Sequence, residues 1–357
     1  MTIYLIRRLL LMLPTLLGIT AVVFFIMAAA PGDVAELLLS REGEMKAGDR
    51  QARVEYIRQR YGLDDPLLVQ YGRWLHKISP VGVQPDDAGG NPGGFGFKTP
   101  DLGHSFVKNR SVLTLVGEAL PVTLLLNVIT IPVVYGLAIM MGVYAARHRG
   151  RSFDVTSGVA MMALWSIPAI WAGVVVQGFL ANDQYVRWFP TVGLHSLRAD
   201  SMPFLPHFAG GFQPGWILDM LWHLALPSLC LSYGSLAVLS KLSRGAVLEN
   251  IVSDYVRTAR AKGVSERDVL WRHAFRNSLL PLITVAAHII PGLLAGSIIV
   301  ETIFGIPGMG RLMIEAIKLK DQEVVMASTL VGGVLTLVSY LIADVLYALA
   351  DPRVSYE

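Results

Sequence analysis

Long apolar runs alternate along this chain with short polar segments. Six runs stand out, at approximately Leu9–Ala30, Leu120–Ala145, Val155–Leu180, Leu221–Leu239, Leu279–Phe304 and Val324–Ala350. A hydrocarbon core of ~30 Å is crossed by ~20 helical residues, at ~1.5 Å each. A backbone facing lipid must satisfy its hydrogen bonds internally, so the pattern predicts six transmembrane helices. The fourth run carries the weakest signal, because Trp222 and His223 open it and Pro227 interrupts it. Pro132, Pro168, Pro227 and Pro291 lie within or near the runs. Such prolines free backbone carbonyls, which reads equally as kinks along a pathway or as ordinary tolerated membrane proline.

The first run follows Arg7 and Arg8 and could pass for a signal peptide. At about 22 residues it exceeds the ~7–15 of a signal core, so a retained first helix is expected. Basic residues then set the orientation. Arg7 and Arg8 precede helix one, Arg147, Arg149 and Arg151 join helices two and three, and Arg353 follows helix six. Lys241, Arg244, Arg257, Arg260, Lys262, Arg267, Arg272 and Arg276 join helices four and five. With six spans these all fall on one side, so both termini are expected in the cytoplasm. The implied division is residues 1–30 for the N-terminus and first helix, 31–118 for an exterior segment, and 119–357 for a core with helices two to six. That core includes a cytoplasmic loop at 241–278.

The exterior segment carries two short amphipathic patterns, Val54, Ile57 and Tyr61, then Leu67, Leu68, Tyr71, Trp74 and Leu75. From Ser79 to His104 it turns rich in Gly and Pro and reads as a flexible loop. A second exterior stretch, Asn182 to Gly215, holds Trp188, Phe189 and Phe212, which suit a membrane–water belt. His195, His207 and His223 match no metal-ligand spacing, so no metal site is expected.

Composition agrees with the membrane reading: 53% of residues are hydrophobic and 16% charged, and the mean hydropathy is +0.52. The net charge of +3 implies no nucleic-acid partner. The single cysteine, Cys230, sits in an apolar run and reads as a small buried residue. No GxxxxGK[ST], HExxH or GxSxG motif occurs, which speaks against nucleotide binding by a phosphate loop and against common hydrolases. GIPGMG at Gly305–Gly310 follows no soluble strand and reads as a turn.

The most informative stretch is Asp254 to Pro281, DYVRTARAKGVSERDVLWRHAFRNSLLP, a basic helix-compatible insert between apolar runs. Tyr255, Ala259, Val264, Val269, Trp271 and Phe275 supply apolar faces among the charges, and Gly263 sits where a reversal is needed. A helix–Gly–helix of this kind can seat an apolar face in a partner's groove, or the basic loop can simply meet anionic lipid.

This segment resembles the EAA loop of ABC-importer permeases, in the dipeptide, oligopeptide and nickel class. YLIRRLLLMLPTLLGI, APGD at Ala30–Asp33, RYGLDDPLLVQYGRWL at Arg60–Leu75, DLGHSF at Asp101–Phe106, ETIFGIPGMGRL at Glu301–Leu312 and the ending ADPRVSYE carry the likeness over nearly the whole chain. DVLWRHAFRN and DPRVSYE are similar to the Yej-type oligopeptide branch, while Val81–Lys98 departs from the pattern as an insertion. Arg257 and Thr258 replace the Glu and Ala of the EAA shorthand.

The resemblance implies an all-α integral membrane permease subunit of the prokaryotic inner membrane, itself no enzyme. It implies half of a peptide translocation path working by alternating access. Its implied partners are a second permease, two cytosolic ATPase subunits that bind ATP and Mg, and an exterior solute-binding protein, with membrane lipid around them. Nickel or another small solute, or a stand-alone transporter, are the alternative readings. Tyr255, Arg257, Thr258, Ala259, Arg260, Lys262, Gly263 and Val264 are the candidate ATPase-coupling residues. Of these, Tyr255, Ala259, Gly263 and Val264 are the expected anchors, and the basic residues the rim. Asn127, Gln177, His288 and Asp344 are polar residues within spans and hence candidates for the pathway. For Asp344 an ion pair with a nearby Arg is the plainer reading.

Overall fold

A computed structural model describes residues 2–30, 64–83, 95–105, 107–208 and 214–350, with residues 55, 58 and 212. Side chains at 2, 3, 5, 83, 95, 286–296 and 350 lie outside the description. In chain order the elements are α1 (Thr2–Ala29), α2 (Leu67–Ile78), β1 (Val81–Val83), β2 (Phe95–Phe97), α3 (Val112–Arg147), α4 (Ser152–Trp165) and α5 (Ala169–Leu180). There follow α6 (Gly215–Ile251), α7 (Asp254–Ala261), α8 (Glu266–Asp268, continued by a π-helical turn at Val269–Phe275), α9 (Leu279–Ile303), α10 (Met309–Lys318) and α11 (Gln322–Ala350).

All six predicted apolar runs are helical. Among the described residues, α1, α3, α6 and α11 are each long and apolar enough to cross a membrane. The third run is not one straight helix: α4 and α5 meet at 93°. Pro168 is the cause. Its ring disfavours helical backbone at Ile167 and removes a donor, so α4 stops at Ser166 and α5 starts afresh from Pro168 at φ −62 and ψ 138. By contrast α3 runs on through Pro121 and Pro132, and α6 through Pro227. The weak fourth run belongs to a helix of 37 residues, about 55 Å at ~1.5 Å per residue.

Two compact units emerge. The first gathers the described residues of 1–8, 121–311 and 335–357. Its largest core packs Leu126, Leu224, Cys230, Val300, Phe304 and Ile306. Smaller clusters continue it, Val134, Ala138, Leu239 and Leu282 in one and Val143, Ala146, Val247 and Leu270 in the next. Gly142 lets α3 and α6 approach, since a Cβ there would stand 2.7 Å from the Ser240 carbonyl oxygen. Arg8 of α1 pairs with Asp344 of α11 at 2.6 Å.

The second unit gathers the described residues of 9–120 and 312–334. Phe24, Trp74 and Met326 form its core, with Tyr71 packed beside them. The second amphipathic pattern is α2, whose apolar face makes this contact; Val54, Ile57 and Tyr61 lie outside the described residues. The Gly- and Pro-rich stretch is not wholly a flexible loop. Val81–Val83 pairs antiparallel with Phe95–Phe97, because V-G-V and F-G-F both alternate with the strand period. In DLGHSF, Gly103 at φ +83 brings the chain onto Glu323, and Ser105 Oγ donates to the buried Asp321 carboxylate.

Candidate functional site

The loop between α6 and α9 folds as a small body with its own core. Val256, Ala259, Val269 and Ala274 are buried together, with Ile251 and Val264 against them. The first limb, α7, starts after Ser253 and ends in a Schellman arrangement. The Gly263 amide donates to the Arg260 carbonyl at 2.9 Å, and the Val264 amide to the Ala259 carbonyl at 3.2 Å. Gly263 holds φ +76, a conformation that a side chain resists, although a Cβ there would meet open space. The second limb starts at Ser265, whose hydroxyl accepts from the Asp268 amide at 3.2 Å. Arg260 clasps the limbs together through Glu266, Nε to Oε1 at 2.9 Å.

The body is tied to the long helix behind it. Ser278 Oγ reaches the Ala246 carbonyl of α6 at 3.0 Å, and Asn250 Nδ2 donates to Ser278 Oγ at 3.1 Å. Tyr255 donates its hydroxyl to Asn250 Oδ1 at 2.6 Å. The π-helical turn adds a residue to the helical ring at Val269–Phe275, a feature common where helices do work. What the loop presents outward is Val252, Tyr255 and Trp271, at 58%, 40% and 41% exposure, among the exposed Arg257 and Arg272.

This geometry corrects the expected distribution of anchors. Ala259 points inward, at 6% exposure, and Val264 is partly buried against the same core. Both shape the turn. Val256, which the sequence reading passed over, is the centre of that core at 0%. Thr258 spends its hydroxyl on the Asp254 carbonyl at 2.9 Å, Arg257 pairs with Asp254 at 3.4 Å, and Lys262 is exposed at the helix end. The charges of Arg257 and Arg260 are thus engaged within the loop itself.

The four polar residues of the spans are not brought together. Asn127 is buried in α3; its Nδ2 donates to the Thr123 carbonyl at 2.8 Å, while its Oδ1 has no partner among the described residues. Gln177 of α5 closes open carbonyls, donating to Thr191 at 2.8 Å and Ile303 at 3.1 Å. Asp344 is held by Arg8. His288 falls in α9, within the stretch whose side chains are outside the description.

In the first unit, two buried carboxylates lie beyond what the sequence pattern indicates. Asp154, at the start of α4, accepts two hydrogen bonds from Arg244 of α6, at 2.5 and 2.8 Å, and a third from the Gly150 amide at 2.9 Å. This fork links the two helices just above the loop. Asp154→Asn should lower the melting temperature of the detergent-purified chain, and exchanging the pair as Asp154→Arg with Arg244→Asp should recover part of the loss. The available signal was a single acid among Arg147, Arg149 and Arg151 at the mouth of an apolar run.

The second carboxylate, Glu301, is fully buried near the end of α9. It accepts from Thr123 Oγ1 at 2.7 Å and from the Arg311 amide at 3.0 Å, and the Gly310 amide also reaches it. Thr123 in turn accepts from the Met309 amide at 2.8 Å. The open amides of the first turn of α10 are thereby satisfied from two other helices. Gly308 is required here, because a Cβ would stand 2.6 Å from Glu301 Oε1. GIPGMG is thus a turn and a helix start, in agreement with its reading as a turn.

His195, in the segment between α5 and α6, and His223 of α6 flank Asp219 of α6 at 3.8 and 3.7 Å, and His195 lies against Trp216. Burial pushes the His195 imidazole below its ordinary value, against the upward pull of Asp219. Among the described residues no three His, Cys, Asp or Glu side chains form a metal-binding group.

The model of a family described as "Binding-protein-dependent transport system inner membrane component" matches residues 138–356, and a companion N-terminal model of membrane components of such systems matches residues 1–127. Among curated relatives, the oligopeptide transport system permease protein AppB of Bacillus subtilis is 36% identical over the whole of both chains. The inner membrane ABC transporter permease protein YejB of Escherichia coli O157:H7 is 32% identical over 99% of each. The dipeptide transport system permease protein DppB of Alkalihalophilus pseudofirmus is 30% identical, also over 99% of each. Full-length agreement of this kind, on a chain of long apolar helices with a basic two-limbed loop, means that this protein belongs to the family of inner membrane components of binding-protein-dependent transport systems, as a multi-pass membrane permease.

Proposed function

We propose that this chain forms half of the translocation path of an ATP-driven importer of peptides. A sister permease completes the path, a solute-binding protein delivers the peptide, and two cytosolic ATPase subunits bind ATP and Mg and drive alternating access. The chain itself performs no bond chemistry. On this reading there are six spans, the bent α4–α5 pair being the third, with both termini in the cytoplasm. Residues 31–118 form the exterior segment, and 241–278 the coupling loop.

The observation that carries the reading is the loop between α6 and α9. It has a private core, is tied by Ser278 and Asn250 to α6, and shows apolar side chains to the outside. A lever needs that combination: internal stiffness, a firm attachment to what it moves, and an apolar contact for what moves it. The names of two of these relatives, an oligopeptide and a dipeptide permease, support the substrate class.

Pull-down from detergent-solubilised native membranes tests this. The wild-type chain should recover an ATPase and a second permease. Tyr255→Ala with Trp271→Ala should weaken recovery of the ATPase at least about tenfold, since exposed aromatic anchors dominate such contacts at ~2 kcal/mol or more each. Recovery of the chain alone, whatever the variant, would overturn the proposal.

A further inference from the structure

A groove of about 700 Å³ lies between the second half of α4 and the last turns of α6, with Pro281 of α9 also in its lining. Met161, Met162 and Trp165 give it an apolar wall. Lys241 and Glu249 of α6 line it as well, and both are exposed. Neither has a hydrogen bond or ion pair with any described residue, whereas the neighbouring Arg244 is fully engaged by Asp154. Eight residues separate the two on α6, about 12 Å along the axis at ~1.5 Å per residue, so they are too far apart to neutralise each other. Midway between them stands Gly245, where a Cβ would meet open space. The groove therefore offers a positive end, a negative end, a low floor between them and an apolar side.

We infer that this groove recognises the two ends of a short zwitterionic peptide. Lys241 takes the C-terminal carboxylate and Glu249 the N-terminal ammonium, while the backbone passes over Gly245. An extended chain spans ~3.3–3.6 Å per residue, so a peptide of about three to five residues fits the separation once the reach of both side chains is included. The wall suits varied side chains, because Met adapts its shape and Trp offers a flat apolar face. Charge complementarity favours this occupant over an anionic lipid headgroup, which would answer Lys241 but face Glu249 with like charge. The inference rests on the peptide reading proposed above, to which it adds where in this chain the termini are read.

The test is uptake by the complete complex in proteoliposomes, using one tetrapeptide in three forms: free, C-amidated and N-acetylated. Each protein variant is scored by the ratio of free to blocked uptake, which cancels losses of folding or assembly and any preference of the binding protein. Lys241→Gln should lower the free-to-amidated ratio about tenfold relative to wild type and leave the free-to-acetylated ratio unchanged. Glu249→Gln should do the reverse. Variants that lose uptake of all three forms in proportion, with both ratios as in wild type, would overturn the inference and place these charges against lipid or in assembly. A wild-type complex that takes up no peptide would overturn the peptide reading, and this inference with it.

Discussion

Val256→Asp should abolish uptake while leaving the chain inserted in the membrane. Val256 has no exposed surface and stands at the centre of the loop between α6 and α9. An aspartate there is buried against Ala259, Val269 and Ala274, and a buried charge without a partner costs about 3–5 kcal/mol. The loop core holds four buried residues and has little else to resist with, so the two limbs should separate. At about 1.4 kcal/mol per tenfold, transport should fall by roughly 100-fold or more. Gly263→Ala provides the scale: it has room for its methyl group but must keep φ +76, a cost of about 1–2 kcal/mol. It should therefore slow transport far less than Val256→Asp. Uptake and ATPase activity of the reconstituted complex, with surface labelling for insertion, provide the measurement. Normal uptake by Val256→Asp would show that stiffness of this loop is dispensable.

Glu301→Ala should produce a large loss of stability. The substitution leaves Thr123 Oγ1 and the amides of Gly310 and Arg311 facing a cavity with no acceptor. Buried donors left without a partner cost about 1–3 kcal/mol each, so a total above about 3 kcal/mol is expected. Glu301→Gln keeps the volume and one acceptor oxygen, and should fall between wild type and Ala. Thr123→Val removes a link in the same chain of bonds, because Thr123 also caps Met309. The double variant should therefore lose less than the sum of the single losses. Thermal unfolding of the purified chain in detergent measures all four proteins. Strict additivity would mean that the two residues act separately.

How much of this was legible beforehand follows from the range of each interaction. The apolar runs were legible as helices, because bilayer thickness and backbone hydrogen bonding link a long apolar run to a helical span from sequence alone. The turn at Gly263 was equally readable: a glycine between two helix-forming limbs takes the left-handed position that other residues resist. Pro168 reads as a place for a kink, but nothing local distinguishes it from Pro132 and Pro227, which their helices absorb.

Facing was decided by the folded molecule. Tyr255 and Ala259, four residues apart on one short helix, read as a single apolar face; packing against Val269 and Ala274 turns Ala259 inward and leaves Tyr255 at the surface. The partners of polar residues were out of reach for the same reason. Asp154 and Arg244 are 90 residues apart in sequence, and Thr123 and Glu301 178 apart. In helices made for lipid, every face is apolar, so periodicity carries no record of which side meets protein. Only the packed arrangement of α3, α4, α6 and α9 selects which carboxylates are buried with partners and which charges, Lys241 and Glu249 among them, are left open to a groove.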